Sequence, residues 1–238
     1  MTTHVDGGHG KNIANFEVLI SYCASCGGSY NPNRPELAIN AMKTLLGTSQ
    51  SSVSKVISAK NGNNMAINAR QILFAPVRQL SMRIVYALEA SGASQQTVDD
   101  AQGINRKMQN RRSTPKPEAG TGKRSISTAQ LSYSNVIDHL MQLVAIVTSE
   151  PLYNPNEDDL KVEALNEYIH KMKATTTFVV ESHTAYTTAR HERDRILYGE
   201  KTGLVDIAMD VKKYIRSVFG NLSTEYKDII KIKFTRRH

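Results

Sequence analysis

The sequence predicts an all-α protein, an elongated up-down helical bundle built from two tandem, diverged helical repeats. Three observations carry that reading. Apolar residues recur every three to four positions through most of the 238-residue chain, the spacing of one buried helix face. Pro and Gly are sparse, at 7 and 14, which removes the turn signals that a many-stranded sheet needs. Tyr30-Asn-Pro-Asn33 recurs as Tyr153-Asn-Pro-Asn156, 123 positions later, and self-similarity at a fixed offset is the signature of a repeat architecture.

The offset continues beyond the tetrapeptide. Leu37 meets Leu160, Ala41 meets Ala164, Met42 meets Leu165, Leu46 meets Ile169 and Val56 meets Val179. Upstream, Ile20 meets Leu143 and Cys23 meets Ile146. One inserted residue then aligns Ile72-Leu-Phe74 with Ile196-Leu-Tyr198, and Gly92 and Ile104 meet Gly220 and Ile232 at an offset of 128. The resulting organisation is a flexible Gly-rich arm over 1–10, a first repeat over 11–112, a linker over 113–125, a second repeat over 126–231 and a basic tail over 232–238.

Each repeat reads as helix, turn, long helix, turn, helix and short terminal helix. In the second, residues 127–149 form the first helix, with Val136, Leu140, Leu143, Val144 and Val147 on its buried face. Asn156 fits the N-cap of a long helix over 157–198, followed by Glu157, Asp158 and Asp159 at the positive end of its dipole. In the first repeat Asn33 takes the same place, with Pro35 in the first turn and Glu36 completing a capping box. Leu165, Ile169, Met172, Thr176, Val179, His183 and Tyr186 alternate steps of four and three, a seam for shallow helix packing. In the first repeat Asn61-Gly-Asn-Asn64 threatens to break the corresponding helix. Residues 203–219 follow, with Leu204, Ile207, Ala208, Val211, Ile215 and Val218 inward, Gly220 as the stop and Leu222 folding back. A short helix over 224–231 precedes the tail.

The formal charge of +8 is uneven. Residues 1–112 hold 12 Lys and Arg against 6 Asp and Glu, 113–125 hold three against one, and 126–238 hold 15 against 15. Arg106, Lys107, Arg111, Arg112, Lys116, Lys123 and Arg124 gather around the linker, and Lys231, Lys233, Arg236 and Arg237 close the chain. These are the candidate contacts for an anion or a nucleic-acid backbone, which would bind with steep salt dependence. Solubility alone explains them as well. No helix-turn-helix, zinc-finger or aromatic stacking pattern accompanies them. The N-terminus lacks a secretory pattern, and the most apolar stretch, Leu140-Met-Gln-Leu-Val-Ala-Ile-Val147, falls far short of the ~20 residues that span a bilayer. The expected setting is the cytoplasm, with no membrane insertion.

The remaining motifs point to structure more than to chemistry. Cys23-Ala-Ser-Cys26 is a single pair near a helix end, where a zinc site would need two further ligands. Glu167-Tyr-Ile-His170 puts two groups on one helix face, but di-metal bundles need two such motifs plus two further carboxylates. Arg190-His-Glu-Arg-Asp-Arg195 suits a solvated face laced by unlike charges, with an anion or partner site as the sharper alternative. Gly120-Thr-Gly-Lys-Arg-Ser125 fails the phosphate-loop pattern, since Arg124 takes the Ser/Thr place and Pro117 the first Gly place. No nucleophile elbow, dinucleotide fingerprint or paired carboxylates are present.

The segment Thr202-Gly-Leu-Val-Asp-Ile-Ala-Met-Asp-Val-Lys-Lys-Tyr-Ile-Arg-Ser-Val-Phe-Gly220, with the closing Lys231-Ile-Lys-Phe234, resembles an uncharacterised bacterial family of two-repeat helical proteins with no known activity. That resemblance implies no catalytic or binding residues. The functional expectation is therefore a non-enzymatic structural or protein-interaction bundle that self-associates or binds a protein partner, without a cofactor, a metal or a small-molecule substrate. Nonspecific nucleic-acid binding through the linker and tail is the alternative.

Overall fold

The computed structural model describes residues 7–109 and 132–236. Among them every regular element is helical and no strand occurs. The helices are α1 (Gly7–Ser25), α2 (Ile39–Phe74), α3 (Val77–Ala90), α4 (Gln95–Met108), α5 (Tyr133–Ser149), α6 (Val162–Tyr198), α7 (Leu204–Phe219) and α8 (Thr224–Ile230). None of them is long and apolar enough to cross a membrane.

The described residues form two compact units, and neither is a continuous stretch of chain. One unit gathers 7–63 and 182–236; the other holds 64–109 and 132–181. The first therefore combines α1 and the opening part of α2 with the closing part of α6, α7 and α8. Its core contains Phe16, Leu19, Ile20, Cys23, Met42, Leu197, Leu204, Val211 and Ile215. The second combines the end of α2, α3, α4, α5 and the opening of α6, around Ile84, Leu88, Ala101, Met108, Leu140, Leu143, Leu165 and Met172. In the first unit α1 packs on α7; in the second, α5 packs on α4 and α3.

Several expectations need correction. The arm expected over 1–10 is helical from Gly7. Three glycines in that turn disfavour helix, but His9 and Asn12 are buried there, and His9 Nδ1 lies 2.7 Å from the Tyr198 hydroxyl. Tertiary anchoring outweighs local propensity. For the same reason α2 runs unbroken through Asn61-Gly-Asn-Asn64. The inward positions of that helix carry small polar groups satisfied locally, with Ser49 donating to Leu45 O and Ser52 to Ser49 O, both at 2.7 Å. Val218 and Leu222, expected inward, are exposed. The seam of α6 keeps Tyr186 half-buried as expected, but Ser182 is half-buried where His183 was expected, and His183 is exposed. Residues 127–131 of the expected first helix of the second repeat, and the linker over 113–125, lie outside the described residues.

The Asn caps also differ. A 3₁₀ turn, Pro35–Leu37 in one place and Asp158–Leu160 in the other, precedes each long helix, and neither has a side-chain cap. The conserved-looking work falls instead to the tyrosines. Tyr30 donates its hydroxyl to Leu37 O at 2.7 Å, and Tyr153 donates to Leu160 O at 2.9 Å. Both rings are buried, and burial raises both phenol pKa values. Each tyrosine thus lays its ring in a core while satisfying a carbonyl that would otherwise be buried unpaired.

The turn between α6 and α7 requires its glycines. A Cβ on Gly199 would stand 2.5 Å from Arg195 O, and one on Gly203 would stand 2.5 Å from Gly199 N. Between them Lys201 takes φ 63° and its N–H donates to the Asp206 carboxylate at 2.9 Å.

Removing one turn hydroxyl should cost about 1 kcal/mol, the net worth of such a bond. Tyr30→Phe and Tyr153→Phe are each expected to lower the urea midpoint followed by far-UV circular dichroism. Variants indistinguishable from the parent would show that the rings alone hold the turns.

Candidate functional site

The motifs that bore on chemistry resolve into packing and ion pairs. Cys23 is fully buried on α1, and burial pushes its thiol up to about 12, which suppresses the reactive thiolate. Cys26 follows the helix end with Sγ 3.3 Å from Tyr22 O. Glu167 pairs with Lys171 at 2.7 Å, and His170 is exposed beside it. Among the described residues no three His, Cys, Asp or Glu side chains are grouped so as to hold a metal ion. In the charge cluster Arg195 holds Glu192 at 2.8 Å, as the solvated-face reading expects. Arg193 departs from it: the residue is 2% exposed and pairs with Asp194 at 2.8 Å. Its long stem is on the inward stripe with Leu197, and the adjacent carboxylate offsets the cost of burying the charge.

Of the basic candidates, Arg106 and Lys107 are exposed in the last turn of α4, where a cation complements the helix dipole. Arg111, Arg112, Lys116, Lys123, Arg124 and Arg237 lie outside the described residues. Lys231 already pairs with Asp228 at 2.9 Å, and Arg236 with Asp206 at 2.5 Å.

The described part of the tail is a docked strap rather than a free basic segment. Asn12 donates to Thr235 O at 2.9 Å and accepts from Thr235 N at 3.0 Å, while Asn15 donates to Lys233 O. The Lys212 ammonium donates to Ile232 O and stands 5.3 Å from the Phe234 ring. Burial, then the charge of Lys233, lowers the Lys212 pKa. Two asparagines and a lysine satisfy the backbone of a segment that has no secondary structure of its own, which is what allows that backbone to lie against α1 and α7.

An open concavity of mixed polar and apolar lining lies in the unit of residues 64–181. It is a groove of about 500 Å³ between α3 and the Leu152–Leu160 turn, lined by Arg83, Tyr86, Ala87, Leu152, Asn154 and Leu160 among others. Tyr86 and Leu152 stand on it 64% and 56% exposed. Arg83 makes a bidentate pair with Asp159, 2.9 Å for one arm, and that guanidinium holds the Asp159 carboxyl below its ordinary range. Sequence reasoning missed this groove. Neither Tyr86 nor Leu152 breaks any pattern, and only the position of α3 against the turn makes a cleft of them.

A second unassigned feature is His139 on α5. It is 5% exposed, and neither ring nitrogen has a hydrogen-bond partner among the described residues. Burial first, and Lys107 second, lower its pKa.

No protein-family model matches this chain, and neither a curated protein nor a solved structure does.

His139 gives a pH dependence with a definite sign. The folded state disfavours its proton, while the unfolded chain binds one near the ordinary histidine pKa of about 6.5. Stability contributed by the neutral imidazole is present above that value and declines as pH falls below it, by up to ~1 kcal/mol per pH unit. The melting temperature should fall from about pH 7.5 to about pH 5.5 more steeply in the parent than in His139→Leu. Parallel profiles would show that His139 does not carry the effect.

Proposed function

We propose that this chain is a non-enzymatic, self-associating helical protein whose work is done through protein contact, built by duplication of one helical unit. What supports the duplication is the agreement between equivalent positions. Tyr30 and Tyr153 are each 7% exposed, Leu37 and Leu160 each 5%, and Met42 and Leu165 each 0%. Over α1 and α5 the buried residues agree at an offset of 124 rather than 123: Ile13 with Ile137, Phe16 with Leu140, Leu19 with Leu143, Ile20 with Val144 and Cys23 with Val147. At the end of the long helices Phe74 corresponds to Leu197, since Ile72 is 74% exposed. The following glycine turn lengthens the offset to 127, which pairs Ile84 with Val211 and Leu88 with Ile215, all buried.

An ion pair supports it further. Arg34, in the turn, holds Asp210 of α7 at 2.6 Å. Arg83 of α3, the match of Asp210 at an offset of 127, holds Asp159, two positions beyond Glu157, the match of Arg34. A turn-to-helix ion pair is thus found in both units, with the signs exchanged and the turn partner shifted by two residues. Gly92 and Gly220, matched in the sequence, both take positive φ, 81° and 84°, where glycine carries no Cβ penalty.

The observation that carries the functional reading is the open groove beside α3, partly polar in its lining, with exposed Tyr86 and Leu152 at its edge. Exposed aromatic and aliphatic side chains around a concavity are the anatomy of a contact site. Glu167, Glu192, Asp194, Asp210 and Asp228 are engaged in ion pairs, and burial disfavours the charged forms of Cys23 and His139. A cytoplasmic setting, where thiols stay reduced, suits the free Cys23 and Cys26. Nonspecific nucleic-acid binding is the second reading: among the described tail cations Lys231 and Arg236 pair with carboxylates, while Lys233 is exposed without an ion pair.

Native mass spectrometry of the full chain over a concentration series is expected to yield a dimer or larger species. A monomer at every concentration, without an apolar-dye signal from exposed surface, would remove the reading.

A further inference from the structure

We infer that the surface of α1 and α7 that holds residues 232–236 is a binding site for an extended peptide with apolar side chains at alternate positions, read through its main chain and occupied here by the chain's own tail. This goes beyond the self-association proposed above and stands without it.

The site is made of side chains, and what they hold is backbone. Asn12 of α1 donates to Thr235 O at 2.9 Å and accepts from Thr235 N at 3.0 Å. Asn15, one helical turn further on, donates to Lys233 O at 2.6 Å. Lys212 of α7 donates to Ile232 O. Asn12 and Lys212 are 1% and 9% exposed, so neither is a loose surface side chain that reaches a passing carbonyl. The pattern is that of an extended chain. There the N–H and C=O of one residue leave on the same edge as those of the residue two further on. Residues 233 and 235 thus offer their polar groups to α1, and residue 232 offers its carbonyl to the other edge, where Lys212 receives it. Alternate residues of an extended chain lie ~6.6 Å apart. Asn12 and Asn15 stand ~4.5 Å apart along the helix axis, a difference that side-chain reach absorbs.

The side chains of the tail alternate in the same sense. Ile232 and Phe234 are half-buried against the core of this unit, while Lys233 and Thr235 are exposed. The Phe234 ring lies 5.3 Å from the Lys212 ammonium, so one lysine serves a carbonyl and a ring together. Main-chain hydrogen bonds that give affinity, with alternate side chains that give selectivity, are how an added strand is recognised. An asparagine amide can act as a sheet edge does, because it carries a donor and an acceptor side by side. The contacts do not depend on which side chains stand at 233 and 235. The one ion pair of the tail to α7, Arg236 with Asp206 at 2.5 Å, has an arginine side chain 62% exposed, and such surface pairs hold little. A segment without secondary structure, held by so few groups, opens well before the helices around it, and a second peptide of the same pattern can then take its place. The positions on α5 that match Asn12 and Asn15 at an offset of 124 are Val136 and His139, so the site belongs to one unit alone.

The probe is the capped, fluorescently labelled peptide Lys231-Ile-Lys-Phe-Thr-Arg236, titrated into the full chain and into its Phe234→Ser variant with binding read by anisotropy. Phe234→Ser loosens the chain's own tail, which otherwise competes at the roughly millimolar effective concentration of a tethered ligand. The variant is expected to bind the peptide about tenfold more tightly than the parent, or better. A peptide carrying Thr235→Pro lacks the N–H that Asn12 accepts and should lose about tenfold in affinity; one carrying Thr235→Ala keeps that N–H and should bind as the unaltered peptide does. In the parent, an excess of peptide is expected to speed hydrogen exchange at the chain's own Thr235 amide, a measurement that needs no variant to fold and decides alone if Phe234→Ser loses its helical circular dichroism. Absence of saturable binding to a folded Phe234→Ser chain, equal affinity of parent and variant, equal affinity of the proline peptide, or unchanged exchange at Thr235 each overturns the inference.

Discussion

The structure depends on helices meeting partners from the far end of the sequence. α1 buries Phe16, Leu19 and Ile20 in a core shared with Leu204, Val211 and Ile215 of α7, nearly two hundred residues away in the chain. α5 buries Leu140 and Leu143 with Ile84 and Leu88 of α3 and Ala101 of α4. Apolar burial of this kind is the dominant favourable term in folding, and here it is available only when pieces from both ends of the chain are assembled. Each compact unit therefore takes its opening helices from one tandem segment and its closing helices from the other. The two long helices are elements of both, which explains why α2 tolerates a glycine and three asparagines in succession without breaking.

On this scaffold the turns before the long helices fix where α3 and α7 can pack. Each turn is closed by a tyrosine hydroxyl on a leucine carbonyl and tied to the facing helix by an arginine–aspartate pair. The two versions differ in details that have physical meaning. In one the turn gives the arginine and in the other the aspartate. Tyr214 packs on one turn, while Ala87, Tyr86 and Leu152 border a groove beside the other. The C-terminal strap shows the same divergence, because Asn12 and Asn15 of α1 grip Thr235 and Lys233, whereas the matching places on α5 hold Val136 and His139, which offer no amide to a backbone.

Much of the helical content was legible in advance, because period and punctuation are local. The stripe Leu204, Ile207, Ala208, Val211, Ile215 and the stop at Gly220 stand where the spacing predicts, and the first and second appearances of Tyr-Asn-Pro-Asn mark turns. Local signals misled where distant contacts decide. The glycines of the first turn of α1 look like a flexible arm until His9 and Asn12 are seen buried. His183 looks like a seam residue until Ser182 is found half-buried in its place. Arg193 looks like part of a solvated charge run until the helix turns it against the core. The basic residues near the end look unpartnered until Lys231 is found paired with Asp228 and Arg236 with Asp206. Burial was also beyond the letters: Cys23 and Val147 are both buried, whereas Ile146, 123 positions after Cys23, is only partly so.

By itself the sequence determined the class of the elements, their approximate limits and the matched tetrapeptides, since these follow from backbone propensity and from the spacing of apolar side chains along one helix. Only the tertiary structure decided which helices share a core, that the tail is strapped to α1 and α7, and that a groove opens at Ala87. Those features are relations between residues far apart in the chain, and their energies come from surfaces that exist only once distant helices have come together.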